Sequence, residues 1–243
     1  MLAWGNIWGN ICNISFTTEF WLALLSGIVI NIILSGDNAV VIALAVRSLT
    51  GKQRLQGIIL GTGLAVVLRI VLTFFCARLL EVSFLKFIGG WLIAWIAVKL
   101  FIEGTGDEGK QKEVNTLGKA VVTILIADLV MSTDNVLAVA GACKGNVALL
   151  LFGLGSSIPL VVFASDILSR LMDRYPIIVT LGAAVLGRVA GEMIGSDAYI
   201  IRTFNPNTFT LYALQGIFTV GVIVVGKAWM KWKAAKVGAS SAV

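Results

Sequence analysis

The sequence predicts an all-α transmembrane fold of seven helices, built as two inverted three-helix repeats plus a seventh helix. Three observations carry that prediction. Apolar side chains make up 58% of the chain, with a mean hydropathy of +0.95, whereas soluble domains hold about 45–50%. The apolar residues gather into runs of the roughly 20 that a helix needs to cross the hydrocarbon core. One short polar stretch recurs inside two of those runs, as Ser35-Gly36-Asp37-Asn38 and Ser132-Thr133-Asp134-Asn135, both reading S-x-D-N.

The expected spans are Glu19 to Val46, Leu55 to Ala77, Phe84 to Ile102, Leu117 to Ala142, Asn146 to Leu168, Pro176 to Ile194 and Thr210 to Met230. The first and fourth exceed what a bilayer requires, which suits helices that tilt or unwind locally at S-x-D-N. Pro159 is expected to kink the fifth. Residues 1–18, with Trp4 and Trp8 and no Lys or Arg, read as an external interfacial lead-in rather than a cleavable signal. The remaining divisions are a first repeat over 19–102, a cytoplasmic linker over 103–116, a second repeat over 117–194, an external loop over 195–209, the seventh span over 210–230 and a basic cytoplasmic tail over 231–243.

Orientation follows from basic residues. If the spans alternate, Arg47, Lys52, Arg54, Lys99, Lys110, Lys112, Lys119, Arg170, Arg174, Lys227, Lys231, Lys233 and Lys236 fall on one side, and Arg78, Lys86, Lys144 and Arg202 on the other. The positive-inside rule then places the N-terminus outside and the C-terminus in the cytoplasm. The net charge of +6 reports this asymmetry and not a nucleic-acid groove.

The two S-x-D-N stretches align at an offset of 97, which also sets Asn31 against Asp128. Further on, G-T-G at Gly61 to Gly63 faces G-L-G at Gly153 to Gly155, and I-G-G at Ile88 to Gly90 faces L-G-A at Leu181 to Ala183. The repeat is therefore three spans long. An odd number of spans makes successive copies enter from opposite sides, the inverted-topology arrangement that holds substrate near the midplane where the halves meet. Asp37 and Asp134 should converge there.

An ionised Asp at that depth costs at least ~3 kcal/mol on insertion scales, so each needs a partner. Hydrogen bonding between packed helices accounts for Ser35, Ser132 and Thr133, but Asn or Ser would pack as well as an acid. A dehydrated cation is the expected partner. With no histidine, and with Cys12, Cys76 and Cys143 far apart, the usual zinc, copper and haem ligands are missing. Asp37, Asp134 and Asp128 offer carboxylates, and Asn31, Asn38 and Asn135 offer amide oxygens, a set that suits Mn²⁺, Mg²⁺ or Ca²⁺. Asp128 and Asp134 stand about 120° apart on an ideal helix, so joint ligation needs an unwound turn near Met131 to Thr133.

The other deep charges are Arg69, Arg188 and Glu192. Arg188 and Glu192 are i, i+4 and read either as a self-neutralising pair or as a gating or proton-coupling element. Arg69 lacks a local partner and should find Asp134, Glu192 or a water-filled cavity, as a gate element. Lys99, Glu103 and Asp166 read as snorkelling residues. Gly61, Gly63, Gly89, Gly90, Gly153, Gly155, Gly182 and Gly187 read as close-packing positions between helices. No phosphate-binding loop is present.

L-S-G-D-N-A-V-V-I-A-L-A and A-D-L-V-M-S-T-D-N-V-L-A-V-A resemble the TerC family of bacterial integral membrane proteins, and L-G-A-A-V-L-G-R-V-A-G-E-M-I is similar to its YjbE-like subgroup. The resemblance implies manganese export or metal supply to exported proteins, with Asp37, Asn38, Asp134 and Asn135 handling the metal and Asn31 and Asp128 next to them. It also implies the bacterial cytoplasmic (inner) membrane.

The leading expectation is thus a non-enzymatic secondary transporter exporting a divalent cation, Mn²⁺ before Ca²⁺ or Mg²⁺, by alternating access, with Asp or Glu192 as the proton site. Two other readings stand beside it: an intramembrane aspartyl protease, in which paired Asp residues activate water, and a non-transporting metal sensor or scaffold. The expected partners are the ion, the lipid bilayer, and either a second copy of the chain or exported metalloenzymes.

Overall fold

The computed structural model describes residues 36–49, 51–79, 84–105, 116–142 and 147–240, with Trp21 and Leu25; side chains are described for these except within 73–79, 133–142, 147–154, 156–157, 234 and 236–240. The described residues form eight helices and no strand. They are α1 (Gly36–Val46), α2 (Gly51–Leu79), α3 (Leu85–Thr105), α4 (Leu117–Ala142), α5 (Val147–Arg174), α6 (Ile177–Gly195), α7 (Ala198–Phe204) and α8 (Thr208–Ser240). Among the described residues, four stretches are long and apolar enough to cross a membrane: Gly51–Leu72, Leu85–Thr105, Ile177–Gly195 and Thr208–Lys233. The expected lead-in over 1–18, Asn31 and most of the linker lie outside the described residues.

Two expectations change here. Helix α4 runs unbroken through Met131 to Asn135, so no turn unwinds beside the second S-x-D-N. The expected loop over 195–209 contains α7. Asp197 caps it, accepting from the Tyr199 N–H at 2.9 Å, and Asn205 ends it in the left-handed region (φ 40°) just before Pro206. Asn207 then opens α8, its amide oxygen accepting from the Thr210 N–H at 2.8 Å. Asp197, 2% exposed, also accepts from the Phe87 N–H at 3.1 Å. One carboxylate therefore satisfies orphan donors at the starts of both α3 and α7.

Glycine sets how closely the helices approach. On α6, Gly187, Gly191 and Gly195 recur every fourth residue, and α8 lies along them. A Cβ at Gly191 would stand 2.7 Å from Gln215 Cα, and one at Gly187 2.8 Å from the Phe218 carbonyl. This is a small-xxx-small contact of the kind that lets membrane helices meet backbone to backbone. On α3, a Cβ at Gly90 would stand 2.7 Å from the Ala190 carbonyl, and one at Gly89 2.6 Å from Val130 of α4. Gly61 of α2 gives the same close approach to Ile124 of α4, and Gly182 meets Val40 and Leu44 of α1. A Cβ at Gly63 or Gly155, expected to serve likewise, would meet nothing within 4 Å among the described residues.

The core lies where α1, α3, α4 and α6 come together, around Val46, Phe101, Ile124, Val179 and Leu186, each fully buried. Outward-facing Trp91, Trp95, Phe209, Tyr212, Ile217 and Val224 stay exposed, as lipid-facing side chains do. At the far end of α5, Asp173 accepts from Arg54 Nη1 at 2.6 Å and lies 3.5 Å from Arg47 Nε. Arg54 further donates to the carbonyls of Leu49 and Arg47, both at 3.0 Å. Basic residues that report topology in the sequence thus also close the α1–α2 turn, where Gly51 takes φ 54°.

Candidate functional site

The two helices bearing S-x-D-N face one another across a small cavity of ≈ 10 Å³, lined by Asn38, Val41 and Ile42 of α1 and by Ile124, Asp128 and Met131 of α4. That is close to the smallest space that admits one water molecule. Asn38 and Asp128 are its polar walls, 4% and 5% exposed, so two of the six predicted ligands share one space.

Asp128 is already engaged. Arg69 of α2 donates through Nε to Oδ2 at 3.2 Å and through Nη2 to Oδ1, the fork-on-carboxylate geometry that guanidinium favours. The Ser132 hydroxyl donates to Oδ2 at 2.9 Å and also reaches the Asp128 carbonyl. Arg69, at 5% exposed, is as buried as its partner. Asp128 is thus a partner of Arg69 that the expectation of Asp134, Glu192 or a water-filled cavity did not include; the side chain of Asp134 lies outside the described residues. Arg69 and Asp128 are 59 residues apart, and no periodicity within one helix reports a contact between α2 and α4.

Asp37, next to Asn38 but on another face of α1, looks elsewhere. Its Oδ2 lies 3.9 Å from Arg188 Nη2 of α6, and the same Nη2 lies 3.8 Å from Glu192 Oε2. The i, i+4 pair anticipated on α6 therefore exists and has Asp37 as a third member. These side chains are 40–53% exposed. Charges so placed at membrane depth need water or another polar surface beside them.

Asn31 and the side chains of Asp134 and Asn135 lie outside the described residues; α4 carries the latter two in continuous helix, one to two turns beyond Asp128. Among the described residues no three acidic or cysteine side chains gather as a metal-binding group. Asp166 pairs with Arg170 at 2.9 Å on one turn of α5. The residues that sequence reasoning missed are Ser132 as a second donor to Asp128, and Asp197. The D-x-x-x-S order within A-D-L-V-M-S, read as i, i+4 on one helix, was the available signal for the first.

The sequence model of the integral membrane protein TerC family matches residues 16–236. The chain belongs to the TerC family. Among curated proteins it is similar to the uncharacterized membrane protein YjbE of Bacillus subtilis, 39% identical over 207 residues that cover 85% of this chain and 94% of that protein. It is also similar to the uncharacterized membrane protein YceF of the same organism, 28% identical over 90% of this chain and 86% of the relative. The UPF0053 inner membrane protein YgdQ of Escherichia coli is 25% identical over 72% of this chain and 80% of its own. No solved structure matches significantly. As a TerC protein with several membrane-crossing helices, the chain is a multi-pass integral membrane protein.

Proposed function

We propose that this TerC protein is a secondary transporter that exports a divalent metal cation, Mn²⁺ foremost, across the bacterial inner membrane by alternating access. The observation that carries this reading is the cavity between α1 and α4, where Asn38 of one S-x-D-N helix faces Asp128 of the other. Asn38, Asp134 and Asn135 form the ion site in this reading, with Asn31 beside them, and Asp37, which turns from the cavity toward Arg188 in this structure, joins it on leaving Arg188. Asp128 is the carboxylate at its wall, and Arg69 is that carboxylate's counter-ion. The cluster of Asp37, Arg188 and Glu192 faces water and supplies the proton-coupling groups.

An inverted repeat relating α1, α2 and α3 to α4, α5 and α6 supports alternating access, because two halves of similar shape can rock about one site. The packing is in keeping with it. Helix α3 contacts α6, and α2 contacts α5, each being its own counterpart under the exchange. Gly89 of α3 meets Val130 of α4, as Gly182 of α6, its aligned residue, meets Val40 of α1. Seven spans with the N-terminus outside complete the proposal. No nucleotide-binding loop stands in the sequence, so the proton gradient or membrane potential drives export.

The test is flux in proteoliposomes, with Mn²⁺, Ca²⁺ and Mg²⁺ in turn, with and without a pH gradient. Wild-type protein should move Mn²⁺, and Asp37→Asn or Asp134→Asn should abolish the movement. Normal flux in both variants would remove the site assignment. Binding without flux in the wild type would instead make the protein a sensor or scaffold.

A further inference from the structure

The Arg69–Asp128 pair sits where stability alone gives no reason for it. Buried ion pairs are commonly no more stabilising than apolar side chains of the same volume, and the space around this one is apolar, walled by Ile42, Ile124 and Met131. The pair's distinguishing feature is its position: Asp128 belongs at once to the guanidinium on one side and to the cavity beside Asn38 on the other. A carboxylate has about four acceptor positions. Two donors hold Oδ2 and one holds Oδ1, so the position left for a ligand is on an oxygen that Arg69 Nη2 already contacts.

We propose that Arg69 is a tethered counter-cation of the empty site, which competes with the transported ion for Asp128, so that ion binding and the Arg69–Asp128 pair exclude one another. This inference rests on the metal-ion reading above. A divalent cation arriving at Asn38 meets a wall carboxylate already neutralised by a monovalent charge. Two cations in so small and apolar a space repel strongly, and the ion gains Asp128 only by displacing the guanidinium. When Arg69 returns, it expels the ion. A transport site must bind firmly enough to load and weakly enough to release, and a cation fixed to the neighbouring helix supplies the second half of that requirement. Arginine suits the role because its fork holds both carboxylate oxygens and its charge persists at any pH the cell meets.

The test is equilibrium Mn²⁺ binding to the purified full-length protein, read from the electron paramagnetic resonance signal of free Mn²⁺. Arg69→Gln should bind Mn²⁺ at least about fivefold more tightly than wild type, the lower end of ordinary coupling between two sites, and should release it more slowly in flux assays. Arg69→Lys keeps a charge inside the pair and so guards against loss of folding; it holds one oxygen less firmly and should tighten binding by less than Gln. In Arg69→Ala, added guanidinium ion should compete with Mn²⁺, and it should have no such effect on wild type. Unchanged or weaker Mn²⁺ binding in the Gln and Lys variants overturns the inference while leaving the transporter reading intact, provided wild-type binding still depends on Asp37. Absence of Asp37-dependent binding in the wild type overturns both.

Discussion

Arg188 stands between two carboxylates, 3.9 Å from Asp37 on α1 and 3.8 Å from Glu192 on its own helix. Both separations exceed a hydrogen bond, so the contact is electrostatic and, between half-exposed groups, contributes little stability, on the order of 1 kcal/mol or less. Arg188→Gln should therefore leave the thermal unfolding temperature nearly unchanged and slow Mn²⁺ flux, because it frees Asp37 from the cation that orients it. In an Asp37→Asn background the same change should add nothing. A double-mutant cycle on flux checks this, and independent, additive losses would separate Arg188 from Asp37.

The contact between α6 and α8 makes a sharper stability prediction. Gly191→Ala drives a methyl to 2.7 Å from the Gln215 backbone, and overpacking of this kind costs about 1–3 kcal/mol. Gly216, on α8 itself, has nothing within 4 Å, and Gly216→Ala should be neutral or stabilising by up to about 1 kcal/mol through helix propensity. Thermal unfolding of the two variants in the same detergent compares them directly. Equal behaviour would mean that α8 does not ride on the glycine face of α6.

The helical membrane fold was legible because hydropathy and span length are local properties. The nearness of the two S-x-D-N helices was expected because that stretch recurs in the sequence. What escaped was pairing between helices. Arg69 has no i, i+4 acid, and Asp128 lies across a contact that only three-dimensional packing determines. The same blindness led to the expected unwound turn near Met131 to Thr133: it was needed to aim Asp128 and Asp134 at one ion, and it becomes unnecessary once Asp128 turns to Arg69.

Asp197 joins α3 to α7 through two backbone donors, Phe87 N–H at 3.1 Å and Tyr199 N–H at 2.9 Å. Asp197→Ala leaves both part-buried donors without this acceptor and should cost about 1–2 kcal/mol. Asp197→Asn keeps an accepting oxygen and should recover most of that loss. The ring of Tyr199 packs on Phe84 with centroids 4.3 Å apart, so tyrosine fluorescence as well as unfolding temperature should report the Ala variant and spare the Asn one.

The buried pair at the cavity wall gives the last prediction, on stability instead of binding. Asp128→Ala removes the two bonds that the buried Arg69 guanidinium makes to this carboxylate. Removal of one partner from such a pair costs about 3–5 kcal/mol, whereas replacing both by apolar side chains of similar volume is often neutral or stabilising. Asp128→Ala should therefore lower the yield of folded protein sharply, and the double variant Arg69→Met with Asp128→Leu should recover it, as gel filtration and thermal unfolding would record. The recovered double variant should remain impaired in Mn²⁺ flux, because it has lost both the wall carboxylate and the cation that governs it. Full flux in that variant would reduce the pair to a packing device.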